Sequence, residues 1–326
     1  IKGVNYPFLI ACTYFSNNSW VTGLSSSIPL LLNTKDNYLI KAGIIENTIS
    51  TTETLASYLN VLVILSYLIL GTLVMIMIRP KSSQGKELKD YLISLQNSKN
   101  DIKTIEEEAE SQKLPFKAVS DKMNNSFFLI LIIFFLGFVY TTRYFIINGF
   151  DLNLNIMIFI FLIIGLVMHK SPLRFSIAMR RSSSNVSSIL FQFPFYAGIM
   201  GIMGDTGLIQ LLADNISSIA TSETLGFFSF LSGGLVNMFI PSGGGQWAVQ
   251  GPVMIEAAEI LDVQPYVIVL GVAYGDQWTN MIQPFWTIPL LAIAGLHMRQ
   301  IMGYTFVIFI FTGIIFGGSM LYLGAG

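Results

Sequence analysis

The chain has 326 residues, of which 53% are hydrophobic and 11% charged, and its net charge is −1. Ordinary soluble domains carry about 25% charged residues, so the composition speaks against that class, and the near-neutral balance carries no nucleic-acid signature. The single cysteine, Cys12, excludes an intramolecular disulfide and any zinc or Cys–His spacing, and reads as a small buried apolar residue.

Four apolar stretches approach or reach the ~20 residues that cross a bilayer: 55–78, 126–147, 152–168 and 301–323. The alternating pattern of a membrane barrel is missing. The expected fold is an all-α polytopic membrane protein.

The chain opens Ile1-Lys2-Gly3 and enters apolar sequence at once. An N-terminal portion is therefore expected to be missing. Residues 1–78 read as the end of a first repeat followed by a membrane span. Residues 79–125 hold nine of the 18 Lys/Arg and the run Glu106-Glu107-Glu108, and read as a solvated insert. Spacing of Leu88, Leu92 and Leu95 predicts a surface helix within it. Residues 126–185 read as a membrane hairpin turning at Asn148-Gly149-Phe150-Asp151, then a loop with Lys170, Arg174, Arg180 and Arg181. Segments 79–125 and 169–185 together hold 13 of the 18 cations, so both are expected on the cytoplasmic side.

From Val186 to Met298 there is no Lys or Arg, while acids, glycines and prolines recur. Residues 186–326 read as a second repeat built of broken helices. Residues 6–31 align with 266–291 at a constant offset of 260. Tyr14 meets Tyr274, Ile28-Pro29-Leu30-Leu31 meets Ile288-Pro289-Leu290-Leu291, and Ser16-Asn17-Asn18-Ser19 falls opposite Asp276-Gln277-Trp278-Thr279. Such repeats, commonly in inverted topology, are typical of secondary transporters. The same offset puts the counterpart of the break described next before residue 1.

That break is Phe239-Ile240-Pro241-Ser242-Gly243-Gly244-Gly245-Gln246-Trp247. Irregular backbone at membrane depth is tolerated only where protein or a water-filled cavity covers it, and transporters form substrate sites from such half-helix ends. Gly243, Gly244 and Gly245 let a ligand approach the backbone closely. A helix restarting near Gln246 aims free N–H groups and a partial positive charge into the break, which suits a carboxylate. Ser242 and Gln246 add donors, Trp247 offers an apolar face, and Gln250 lies one turn after Gln246 on the same face. The competing reading is a glycine cluster that packs helices.

A second constellation interrupts residues 266–296: Gly275-Asp276-Gln277-Trp278-Thr279-Asn280, then Gln283-Pro284-Phe285-Trp286. Asp276 at membrane depth with no nearby cation in sequence is a functional candidate. Asp276, Asn280 and Gln283 share one face if the segment is helical. The matching break of the first repeat, Ser16-Asn17-Asn18-Ser19 with Ser25-Ser26-Ser27, has oxygens that coordinate Na⁺ or cap helix ends; both readings stay open. His169 and His297 read as interfacial side chains at span ends, Gln192 beside Pro194 as a residue of a kinked helix, and Gly313 with Gly317 as a small-residue helix contact.

At these motifs the sequence resembles the short-chain fatty acid transporter family, of the acetoacetate/butyrate permease type. The stretches that carry the resemblance are Tyr6-Pro7-Phe8-Leu9-Ile10-Ala11-Cys12, Gln192-Phe193-Pro194-Phe195-Tyr196-Ala197-Gly198-Ile199, residues 241–252 and residues 273–289. The resemblance implies uptake of short monocarboxylates across a bacterial inner membrane. It also implies an ion-transporter fold similar to the dicarboxylate/sodium symporters, with paired inverted repeats, re-entrant hairpins and homodimers. The chain departs from the family pattern at residues 16–27, which are Ser/Asn-rich where the family is usually glycine-rich.

With no cation from residue 186 to 298, the carboxylate is left to half-helix N–H groups, a co-bound Na⁺ or a proton carried with the acid. The substrate-binding set is Ser242, Gly243, Gly244, Gly245, Gln246, Trp247, Gln250, Trp278, Asn280, Gln283 and Trp286, with the tail on a tryptophan. The coupling-ion set is Asp276 with Ser16, Asn17, Asn18 and Ser19. Desolvation favours the neutral carboxyl at Asp276, which tilts the reading towards a proton over Na⁺. No cofactor is expected beyond that ion, and no enzyme constellation appears. The alternatives are a Na⁺-coupled carrier of another carboxylate class, or a membrane sensor or channel that does not transport.

Overall fold

A computed structural model describes residues 4–17, 22–24, 26–80, 104–112, 118–283, 285–287, 290–291, 294 and 296–324, without the side chain of Asn17 and several between 184 and 213. The expectations for Asn18, Ser19, Ser25, Pro284, the Leu88–Leu92–Leu95 helix and the side chains of Asn17 and Gln192 fall outside these residues. All regular structure among the described residues is helical. In chain order the helices are α1 (Tyr6–Asn17), α2 (Ser27–Leu32), α3 (Tyr38–Lys41), α4 (Tyr58–Ile78), α5 (Ile105–Ser111), α6 (Val119–Asn124), α7 (Phe127–Asn148) and α8 (Leu154–Met168). There follow α9 (Pro172–Asp205), α10 (Leu208–Ile219), α11 (Leu225–Asn237), α12 (Gly243–Ile260), α13 (Pro265–Thr279), a 3₁₀ turn (Phe285–Thr287) and α14 (Met298–Gly324). Three of them, α4, α7 and α14, are long and apolar enough to cross a membrane, and α8 is a shorter apolar helix.

The chain divides into two compact units, residues 99–195 and residues 1–98 with 196–326. In the first, α7 and α8 pack against each other as a helical hairpin. Ser126 and Asn153 cap them, accepting from Leu129 N and Ile156 N, and Gly149 takes the positive φ of 65° that the reversal requires. Across the turn, Tyr144 donates to Asp151 at 2.7 Å and accepts from Asn153 Nδ2 at 2.7 Å. Thr104 and Glu107 close a capping box at the start of α5. Arg174 donates to Glu106 at 3.1 Å, while Glu108 pairs with both Arg180 and Arg181. The hydrogen bond from Arg181, together with the charges of Arg181 and Arg180, holds the Glu108 carboxyl below the ordinary carboxylate range.

The second unit is organised around α11 and α13, which run side by side in the same direction. Their backbones touch through glycine. A Cβ at Gly275 would lie 2.3 Å from Phe230 O, one at Gly271 2.7 Å from Gly226 O, and one at Gly233 2.9 Å from Val272 O. Only glycine permits such an approach, and in a bilayer, where apolar contact with lipid is as good as contact with protein, close packing of this kind is what holds helices together. Gly313 and Gly317 on α14 make the small-residue contact expected of them, against the indole of Trp278 and against Phe227 and Phe230.

Ring contacts along α14 give the helix directions. Phe8 meets Tyr304, and Phe15 stacks on Tyr67, which stacks on Phe316. Trp278 stacks on Phe309, and Tyr274 on Phe316. Hence α1 runs with α14 and α13 runs against it, although the two were aligned in sequence at offset 260. Each is followed by a break. At about 1.5 Å per residue, the 13 residues of α11 and the 15 of α13 fall short of the ~30 Å hydrocarbon core.

Candidate functional site

The two breaks after α11 and α13 meet on two neighbouring residues. Ser242 is the N-cap of α12, its hydroxyl accepting from Gly245 N at 3.4 Å, so the helix restarts at Gly243, three residues before Gln246. From its second turn Gln246 Nε2 donates to Gly233 O at 2.8 Å and to Gln250 Oε1 at 2.9 Å, and Gln250 Nε2 reaches Ser232 Oγ at 2.9 Å. On the other side Thr279 Oγ1 donates to Gly234 O at 2.9 Å. The carbonyls of Gly233 and Gly234 thus anchor the start of α12 and the end of α13. A helix start carries partial positive charge and free N–H groups; a helix end carries partial negative charge and free carbonyls.

Asn237, the last residue of α11, joins the pieces. Its Nδ2 lies 2.8 Å from Asp276 O, 2.9 Å from Thr279 Oγ1 and 2.9 Å from Asn280 Oδ1, and Gln283 Nε2 reaches Asn237 O at 3.4 Å. Tyr14 of α1 donates to Asn280 O at 2.7 Å, which brings the C-terminal ends of α1 and α13 together. The matched residue Tyr274 donates to Asn60 Oδ1 at 2.9 Å, and Asn60 Nδ2 bonds Thr22 O and Leu55 O.

Several buried atoms here have no hydrogen-bond partner: both carboxylate oxygens of Asp276, Asn237 Oδ1, Gln246 Oε1, Gln283 Oε1 and Asn280 Nδ2. An unsatisfied buried polar group costs about 1–3 kcal/mol, so these atoms together form a concentration of polar groups whose hydrogen-bonding capacity the surrounding described residues leave unused. Ser26 and Ser27 add two more unpartnered hydroxyls at the start of α2, which packs on α12 and α13. Ser26 is the N-cap residue of α2, yet its side chain makes no capping bond.

The other residues singled out in sequence are distributed differently. Gly244 has open space beside it, so packing does not explain that glycine. Gln246, expected as a donor, has its nitrogen committed and only its oxygen left over. Trp247 is fully buried in an apolar cluster with its ring against Gly251. Trp278 is wedged between Phe230 and Phe309, with Nε1 donating to Phe309 O at 2.8 Å. Trp286 is 37% exposed in the 3₁₀ turn. Asp276, Asn280 and Gln283 do not share a helical face, because α13 ends at Thr279; Asn237 gathers them instead. Ser16 donates to Thr13 O at 2.8 Å on an exposed face. His169 caps α8, its Nδ1 2.7 Å from Gly165 O. Cys12 is partly exposed rather than buried. Among the described residues no group of three His, Cys, Asp or Glu side chains could hold a metal ion.

Sequence reading missed Asn237 and the Gly226, Gly233, Gly271 and Gly275 contact. The glycines at 271 and 275 carried a visible small-xxx-small spacing; nothing local marked Asn237.

Spanning helices packed around paired helix breaks, with buried polar groups at the junction and no cation near it in sequence, define an integral membrane protein of the transporter class. A model of the family described as "Short chain fatty acid transporter" matches residues 1–323. Proteins named "Putative short-chain fatty acid transporter" from Escherichia coli (strain K12) and Haemophilus influenzae (strain ATCC 51907 / DSM 11121 / KW20 / Rd) are 38% and 37% identical to it, each over 97% of this chain and 69% of its own length. No solved structure matches the chain. The chain belongs to the short-chain fatty acid transporter family.

Proposed function

We propose that this protein carries short-chain monocarboxylates such as butyrate and acetoacetate across the bacterial inner membrane by symport with a cation, H⁺ or Na⁺. The observation that carries the reading is the junction on Gly233 and Gly234, which ties together the start of α12 and the end of α13, the latter carrying Asp276, a buried carboxyl with no hydrogen-bond partner. The names of the relatives supply the substrate class.

The substrate carboxylate lies against the first turn of α12, at Gly243, Gly244 and Gly245, where free N–H groups and open space beside Gly244 suit an anion. Asn280 contributes a side-chain donor. The cation lies at Asp276, towards the C-terminal ends of α1 and α13 that the Tyr14–Asn280 bond brings together. Trp247 and Trp278 are held in packing, and Trp286, 37% exposed, offers an apolar face to the alkyl tail. A second carboxylate on the substrate would be an uncompensated charge, which favours monocarboxylates over dicarboxylates. Segments 79–125 and 169–185 face the cytoplasm by the excess of Lys and Arg they hold. The apolar surface of α7 faces lipid or, in a homodimer, a second copy of the chain.

The test is uptake of labelled butyrate into proteoliposomes under an imposed proton or sodium gradient. Accumulation driven by one gradient supports symport and names the ion. Binding or equilibration without accumulation would point to a sensor or a channel instead.

A further inference from the structure

With no Lys or Arg between residues 186 and 298, side chains of this stretch that bind an anion do so as neutral donors, which have to be held in a fixed orientation. Carboxamides are poor at this unless something holds them, because rotating the group by half a turn exchanges a donor for an acceptor. Here the orientation is set by a chain of contacts that starts from a main-chain carbonyl. Asp276 O can only accept, so the Asn237 atom 2.8 Å from it is the amide nitrogen. That nitrogen lies 2.9 Å from the carboxamide of Asn280, which must therefore turn its oxygen towards Asn237. The Asn280 nitrogen is left pointing the other way, as a buried donor without a partner. Tyr14 fixes the same residue from the backbone side, donating to Asn280 O at 2.7 Å.

We infer that Asn237 is a positioning residue of the transport site: it orients Asn280 so that Asn280 Nδ2, and not Oδ1, is offered to the substrate carboxylate. The inference rests on the monocarboxylate reading above. Asn237 does not touch the substrate. It acts through Asn280, and its amide nitrogen bonds the broken end of α13 at the same time.

The decisive variant is Asn237→Asp, which keeps the shape and reverses the polarity. A carboxylate at this place accepts from Asn280 Nδ2, turns that carboxamide over and aims its oxygen at the substrate. The expected result in proteoliposomes is a KM for butyrate raised roughly ten-fold or more at neutral pH, with kcat changed much less. KM should recover as the pH falls, because the protonated carboxyl can donate to Asn280 Oδ1 again. Wild-type protein sets the baseline at each pH. If N237D does not fold, Asn280→Asp decides: it keeps an oxygen towards Asn237, replaces only the free donor, and should raise KM similarly, with KM recovering as the pH falls. The inference is overturned if the folded variant keeps the wild-type KM, or if kcat and Tm fall together with KM and its pH profile unmoved. Wild-type protein that shows no saturable butyrate uptake would sink the carboxylate reading itself, and this assignment with it.

Discussion

Two helix pairs of this protein, α7 with α8 and α11 with α13, solve the same packing problem in opposite ways. The first pair is the more apolar, yet of the 22 residues of α7 only Ile130 and Gly137 are buried. The second pair is interrupted by glycine, serine and asparagine, and twelve of the fifteen residues of α13 are buried, Asp276 and Gln277 among them. In water the ranking would be reversed. In a bilayer apolar side chains gain little by leaving lipid, so they can remain outside, while small and polar residues gather where backbones touch. The lesson is that apolarity finds the spans of such a chain, whereas glycine and buried amides find its working interior.

The sharpest way to break this contrast is to add a side chain where backbones meet. Gly275→Val should give the largest effect, because its Cβ alone would fall 2.3 Å from Phe230 O and the pair must separate. Overpacking of this kind costs about 1–3 kcal/mol or more, read as a lowered Tm or lost folded yield in detergent. Gly318→Ala on α14, with nothing within 4 Å, is the control and should leave the Tm unchanged or slightly raised. Equal effects of the two would end the claim that glycine contact organises the interior.

Asp276→Asn should come next, abolishing accumulation driven by the coupling gradient while leaving the fold intact. Uptake that still follows a pH or Na⁺ gradient as in wild type would remove Asp276 from coupling. A smaller effect is expected from substrate length. Two further CH₂ groups at about 0.8 kcal/mol each should favour butyrate over acetate by ~1.6 kcal/mol, roughly fifteen-fold, in competition assays. Equal affinities would rule out a dry tail pocket.

The smallest effect is expected in the other unit. Glu108 titrates below the ordinary carboxylate value because Arg181, and after it Arg180, favours its ionised form. The contact with Arg180 and Arg181 therefore contributes fully at neutral pH, persists below the ordinary value of about 4.3, and is lost as the pH falls through the depressed value. Hydrogen exchange across α5 should report this, and Glu108→Gln should weaken protection there without moving the KM for butyrate. A KM shift in E108Q would tie the charged unit to transport after all.

Much of this architecture was legible in the residues. The four apolar stretches became α4, α7, α8 and α14, and Asn148-Gly149 marked the turn between α7 and α8 because length and a positive-φ glycine are local properties. The pairing of Gln246 with Gln250 followed from helical spacing. The tryptophans could not be apportioned in the same way. An indole suits a ligand's tail and a glycine-lined groove equally well, and only the neighbours Gly251, Phe230 and Phe309 distinguish the two for Trp247 and Trp278. The unit made of residues 1–98 and 196–326 was likewise hidden, because it joins parts of the chain that are distant in sequence.

By itself the sequence determined a helical membrane protein, the places where its helices break, and the absence of any Lys or Arg between residues 186 and 298. These follow from composition, from glycine and proline, and from charge, each of which acts locally. Tertiary structure alone decided that the start of α12 and the end of α13 adjoin at Gly233 and Gly234, that α1 and α13 run oppositely along α14, and that Asn237 governs which atom of Asn280 stays free. The reason is that a hydrogen-bond direction depends on the partner, and the partner of Asn237 lies more than forty residues further along the chain.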